Sequence, residues 1–96
     1  ALLELNRLIY AAPDSASVGV YVNYLTCLRA VDETETAIYE HEVLFPAWVR
    51  QHPAILTEVG NAWVQLKNYR RGREAYAQAQ ANVAPGTELH DKLTLL

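Results

Sequence analysis

Apolar residues recur along this chain at helical spacing. Between Pro53 and Ala84, Leu56, Val59, Gly60, Trp63 and Leu66 fall on one stripe. Gly72, Tyr76 and Ala79 fall on a second stripe, with Tyr69 at the hinge after Lys67-Asn68. Large and small residues alternating in this way predict two antiparallel helices that pack closely, with Gly60 and Gly72 making room where the backbones cross. Pro53 suits the first position of the earlier helix, which should run to about Leu66; its partner should run from about Tyr69 to Ala81 or Val83.

The rest of the chain carries the same period. Leu2, Leu5, Leu8 and Ile9 mark a helix over 1–12, which Pro13-Asp14-Ser15 stops. From Ala16 to about Ala30 the alternation of Val18, Val20 and Val22 would suit a strand, but Val18, Tyr21, Val22, Leu25 and Leu28 sustain a longer helical phase. Asp32-Glu33-Thr34-Glu35 has the spacing of a capping box and should open a helix with Ile38, His41, Leu44 and Phe45 inward, closing near Pro46. Residues 47–52 read as an irregular connection. Past Pro85-Gly86, Thr87 is placed to cap a last helix with Leu89, Leu93 and Leu96. The expectation is all-α: six helical segments and no strand.

Segment ends suggest a repeat. Pro13 and Pro46 each close a helix 33 residues apart, and Pro53 and Thr87 each open one 34 apart. The first helix start near Ser15 and the second at Pro53 are 38 apart, so about four extra residues would lie around 49–52. That register pairs Val18 with Leu56, Leu25 with Trp63, Ile38 with Tyr76 and Asn23 with Asn61.

The series Leu56, Val59-Gly60, Trp63, Tyr69, Gly72, Tyr76, Ala79 and Ala84-Pro85 resembles the tetratricopeptide repeat family. The resemblance implies a right-handed α-solenoid of antiparallel helix pairs with about two and a half repeats. Residues 1–13 would be the second half of one repeat, 15–46 a degenerate repeat and 53–85 a well-formed one. Residues 87–96 would begin a further or capping helix.

Composition changes this picture little. Half the residues are apolar and a fifth charged, as in a chain that folds. A net charge of −3 argues against nucleic acid, since Lys67, Arg70, Arg71 and Arg73 form the only basic cluster. That cluster reads as the solvated face of a helix or as a contact for an acidic partner. Cys27 alone excludes an intrachain disulfide and leaves the compartment open, with the cytoplasm favoured. No run is long and apolar enough to span a membrane. The absence of an initiator methionine and the helical pattern already under way at Ala1 suggest a piece of something longer.

No motif points to catalysis. The three histidines share no metal-ligand spacing, and Glu33, Glu35, Glu40, His41 and Glu42 lack the repeated Glu-x-x-His of a dimetal bundle. His41 falls on a packing stripe and His52 at a helix cap or turn. No cofactor and no metal site are expected, and the chain is expected not to be an enzyme.

Function is therefore expected from shape. The first helix of each pair would line a concave side, with Asn23 and Cys27 on one and Glu58, Asn61 and Gln65 on the next as partner-binding residues. Asparagine offers a donor and an acceptor to an extended peptide backbone. The alternative for Asn23 and Asn61 is that they only hold the packing between repeats. Some relatives grip a partner's C-terminal carboxylate with cations, but the corresponding Gly19, Ala54 and Glu58 carry none. The resemblance implies a protein–protein interaction scaffold that binds a peptide or helix, or stacks on further repeats. Two other readings stand beside it: a structural spacer within a larger multidomain protein or enzyme, and a helical-bundle metal-binding protein.

Overall fold

The computed structural model describes residues 2–11 and 16–83. Within them the chain is all-α: α1 (Leu2–Ala11), α2 (Val18–Ala30), α3 (Thr34–Tyr39), α4 (Ala47–Arg50), α5 (Pro53–Gln65) and α6 (Tyr69–Ala81). α3 runs on without a break into a π-helical turn, Glu40–Leu44. The expected helix over 87–96, and the stops at Pro13 and Pro85, lie outside the described residues.

Two helical hairpins dominate. α2 turns into α3, and α5 turns into α6; α1 packs on α2, while α2 and α3 both pack on α5. One core joins them, with Tyr21, Leu25, Val49 and Ile55 the largest fully buried side chains. Leu56, Ala79 and Val83 form a smaller cluster beyond it. In the α5–α6 hairpin the glycines act as expected. A Cβ on Gly72 would lie 2.9 Å from a Val64 methyl and 3.3 Å from the Gly60 carbonyl oxygen, and one on Gly60 would collide with the Tyr76 ring.

The hairpins share a turn. In the first, the amides of Asp32 and Glu33 donate to the carbonyls of Arg29 (3.3 Å) and Leu28 (2.8 Å). In the second, those of Lys67 and Asn68 donate to Val64 (2.9 Å) and Trp63 (2.9 Å). This is the paired bonding of a Schellman cap, with a left-handed residue after the helix. Asp32 and Lys67 both have φ 65°, although neither is glycine.

Helix starts Val18 and Pro53, the left-handed residues Asp32 and Lys67, and helix starts Thr34 and Tyr69 are each 35 positions apart. The structural register is thus 35, not 38. α2 begins at Val18 rather than near Ser15, and 47–52 is no irregular insert: α4 forms a helical turn that buries Val49. Asn23 consequently stands opposite Glu58, and Thr26 opposite Asn61.

Three further expectations shift. The Asp32–Glu35 capping box does not form, because Asp32 is spent on the left-handed turn. Glu33 is the N-cap, and its carboxyl accepts from the Thr36 hydroxyl at 3.0 Å. Leu44 is exposed because the π turn widens the helix and swings it off the inward stripe, while Phe45 stays buried against Tyr21 at 4.8 Å between ring centroids. Leu8 and Leu66 are also exposed, and Ile55, Ala62 and Tyr24 are buried in positions the stripes missed.

Candidate functional site

α2 and α5 lie side by side, pointing the same way. Thr26 near the middle of α2 reaches Glu58 (3.4 Å), and the Arg29 carbonyl near its end accepts from Gln65 (3.2 Å). Most of the polar residues expected to face a partner therefore hold the fold together. The Arg29 guanidinium pairs with Glu58 at 2.8 Å, both side chains being mostly buried. Removing one member would strand the other charge in partial burial, which is costly. Asn61 accepts from the Tyr76 hydroxyl at 2.5 Å, binding α5 to α6. Burial raises the Tyr76 pKa; nearby Arg29 pulls it down and Glu58 pushes it up.

Of the five proposed contact residues, Asn23 is exposed on α2, and Cys27 is a half-buried free thiol. Asn61 spends its oxygen on Tyr76 and remains half-buried. Glu58 and Gln65 turn toward α2 instead of away from it. The open sides of the two first helices carry small residues. A Cβ on Gly19 would meet only Ser17 at 3.6 Å, and Ala54 and Thr57 are half-buried beside exposed Val64.

A second polar cluster was not anticipated. Glu40, the first residue of the π turn, is buried. The Tyr24 hydroxyl donates between its carboxyl oxygens at 2.9 and 2.8 Å, and the Tyr10 hydroxyl donates from α1 to the same group. Asn6 completes the network by donating to the Tyr24 oxygen at 3.0 Å. Burial first, and then the bond to Glu40, lift the Tyr10 pKa far above the usual tyrosine range. Burial likewise pushes Tyr24 up to about 12, opposed by Asn6 and helped by Glu40. Glu40 in the sequence looks like one more surface acid. Its partners Tyr10 and Tyr24 fall off the apolar stripes, so the pattern held no signal for the cluster.

The histidines have separate jobs. His52 caps α5, its Nδ1 accepting from the Ala54 amide at 3.1 Å. His41 lies buried under the π turn, with Nε2 3.2 Å from the Arg50 carbonyl. A carbonyl can only accept, so Nε2 carries the proton and Nδ1 is left as a buried acceptor without a partner. Burial lowers the His41 pKa against the opposing effects of the Arg50 carbonyl and Glu42. Among the described residues no three His, Cys, Asp or Glu side chains gather as metal ligands, and no helix is long and apolar enough to cross a membrane.

Comparison with family models, with curated proteins and with solved structures found no match to this chain.

Proposed function

We propose that this chain is a noncatalytic protein–protein interaction module, built as a short solenoid of tetratricopeptide-like helix pairs. Its partner is an extended peptide or a helix that lies across the open sides of α2 and α5. One observation carries the reading: two hairpins close with the same left-handed cap 35 residues apart, and their first helices lie side by side in the same direction. Repetition of that kind sets equivalent helix faces next to each other, as repeat stacks do.

The recognition residues are fewer than the polar pattern suggests. Exposed Asn23, the bare backbone at Gly19, half-buried Ala54 and Thr57, and the Asn61 amide nitrogen are left for a partner, while Val64 packs a methyl on Gly72 of α6. Glu58 and Gln65 hold α2 against α5 from behind. Small and polar residues suit close approach of a peptide backbone more than capture of a charged terminus.

The spacer reading has its own support. Leu3 on α1 is 71% exposed, and Tyr10, two turns further along the same side, is partly exposed. An apolar face of that kind suits a helix packed against further protein.

Selection of a displayed random-peptide library on the purified chain tests the proposal. Enriched peptides should bind wild type and lose affinity to an Asn23→Ala/Asn61→Asp variant that keeps native helicity. No enrichment, or equal binding to that variant, would leave the spacer reading in its place.

A further inference from the structure

The two equivalent turns carry opposite charge. The first holds Asp32, Glu33 and Glu35 with no cation; the second, 35 residues on, holds Lys67, Arg70 and Arg71 with no acid. Asp32 aligns with Lys67 in the same left-handed conformation, and Glu35 aligns with Arg70. The turns are neighbours on one edge of the molecule. The acidic turn and the end of α5 line a single open cleft of about 390 Å³ that includes Asp32, Glu35, Gln65 and Leu66. Exposed apolar side chains sit among the charges: Val31 and Leu66 at the two helix ends, and Tyr69 at the start of α6.

Little of this charge is used within the fold: Glu33 accepts from the Thr36 hydroxyl at 3.0 Å, and the Arg71 guanidinium lies over the Trp63 ring at 5.4 Å from its centre. Among the described residues Asp32, Glu35 and Lys67 make no ion pair. Arg70 reaches only Glu74 in its own helix, at 3.4 Å and largely exposed. The basic turn also stands at the start of α6, where the helix dipole disfavours cations and the first turn holds no acid to offset them. Lys67 follows the end of α5, where a cation is favoured, and Glu35 sits in the first turn of α3, where an acid is favoured, so the helix dipoles leave Arg70 and Arg71 as the charges without a reason.

We propose that this edge is a self-association surface: two copies meet about a two-fold axis, the acidic turn of each against the basic turn of the other. A two-fold axis standing between the turns exchanges their positions, so both charge contacts form at once and the surface is self-complementary. Val31, Leu66 and Tyr69 then cover their counterparts across the axis. A purely acidic or purely basic peptide fits worse, because it must leave one turn facing like charge. The proposal concerns the turn edge and does not depend on peptide binding at the open faces of α2 and α5.

The swap is built into the fold, since each turn already accepts the other's residues in the same backbone conformation. Asp32→Lys/Glu35→Arg makes both turns basic, and Lys67→Asp/Arg70→Glu makes both acidic. Sedimentation velocity at low ionic strength should show the wild-type chain passing from monomer to dimer as concentration rises. Raising the salt to about 1 M, where screening shortens to about 3 Å, should return it to monomer. Each swapped variant alone, with helicity unchanged, should associate at least about tenfold more weakly. An equimolar mixture of the two should recover association, because every contact across the axis is again between opposite charges. A wild-type chain that stays monomeric up to about millimolar concentration, swapped variants that dimerise as well as wild type, or a mixture that stays monomeric would each overturn the proposal.

Discussion

The ring of Tyr76 occupies the space a side chain on Gly60 would need: its Cδ1 lies 2.6 Å from where a Cβ would stand. The Tyr76 hydroxyl then reaches past to Asn61. This contact sets how closely α5 and α6 approach, and it makes glycine the residue of choice at that position.

Gly60→Ala should therefore destabilise the chain by about 1–3 kcal/mol through overpacking, even though alanine gains about 1 kcal/mol in intrinsic helix propensity. Urea denaturation measures the difference. In a Tyr76→Ala background the ring is gone, and Gly60→Ala should become neutral or stabilising. A Gly60→Ala variant as stable as wild type would mean that the helices are farther apart than described.

Lys67 and Asp32 bear a strain that glycine would relieve. A left-handed non-glycine residue costs about 1–2 kcal/mol, while glycine adds unfolded-state entropy. Lys67→Gly should stabilise by up to about 1 kcal/mol, and Lys67→Val, branched at Cβ, should destabilise. Thermal melts of the two variants check the sign in each direction.

The Glu40 network ties α1 to the rest. Glu40→Ala would leave the buried Tyr24 hydroxyl without its acceptor and free Tyr10, costing about 2–3 kcal/mol. Hydrogen exchange should show the loss first in α1 and the π turn. The tyrosines also predict the alkaline limit. Their folded pKa values lie above the unfolded value of about 10, so the unfolded chain gives up protons first as pH rises. Stability is full below about pH 10 and falls as pH climbs toward about 12, where Tyr24 ionises. Tyrosinate absorbance of the folded chain should lag that of the denatured chain.

His41 predicts the opposite limit. Its folded pKa is lower than the unfolded value of about 6.5, so unfolding takes up a proton just below that pH. Its contribution is full above about pH 6.5 and declines as pH falls through the folded pKa. His41→Phe should flatten the pH dependence of the denaturation midpoint in this window. An unchanged slope would mean that His41 titrates alike in the folded and unfolded chain, against the burial described.

Much of the architecture was legible in the sequence because it rests on periodic burial and on proline and glycine placement. Gly60, Gly72, Pro53 and the His52 cap all do what their residue types suit best. The register was missed because lysine at a left-handed position gives no turn signal, and because α4 is one helical turn without periodicity. The bonds that Glu58 and Gln65 make to α2 were missed for a related reason. Glu58 and Gln65 are polar, and polarity alone does not separate a side chain facing solvent from one spanning two helices. Only the nearness of Arg29, 29 residues before Glu58 in sequence, decides it. The π turn was invisible, since its one extra residue leaves His41 and Phe45 inward and displaces only Leu44.

The most direct measurement of the interaction reading is an amide chemical-shift map of the labelled chain titrated with a library-selected peptide. Perturbations should fall on Gly19 and Asn23 on α2 and on Ala54, Thr57 and Asn61 on α5, leaving α1 and the outer face of α6 unmoved. Perturbations confined to α1 or to α6, with α2 and α5 silent, would contradict it.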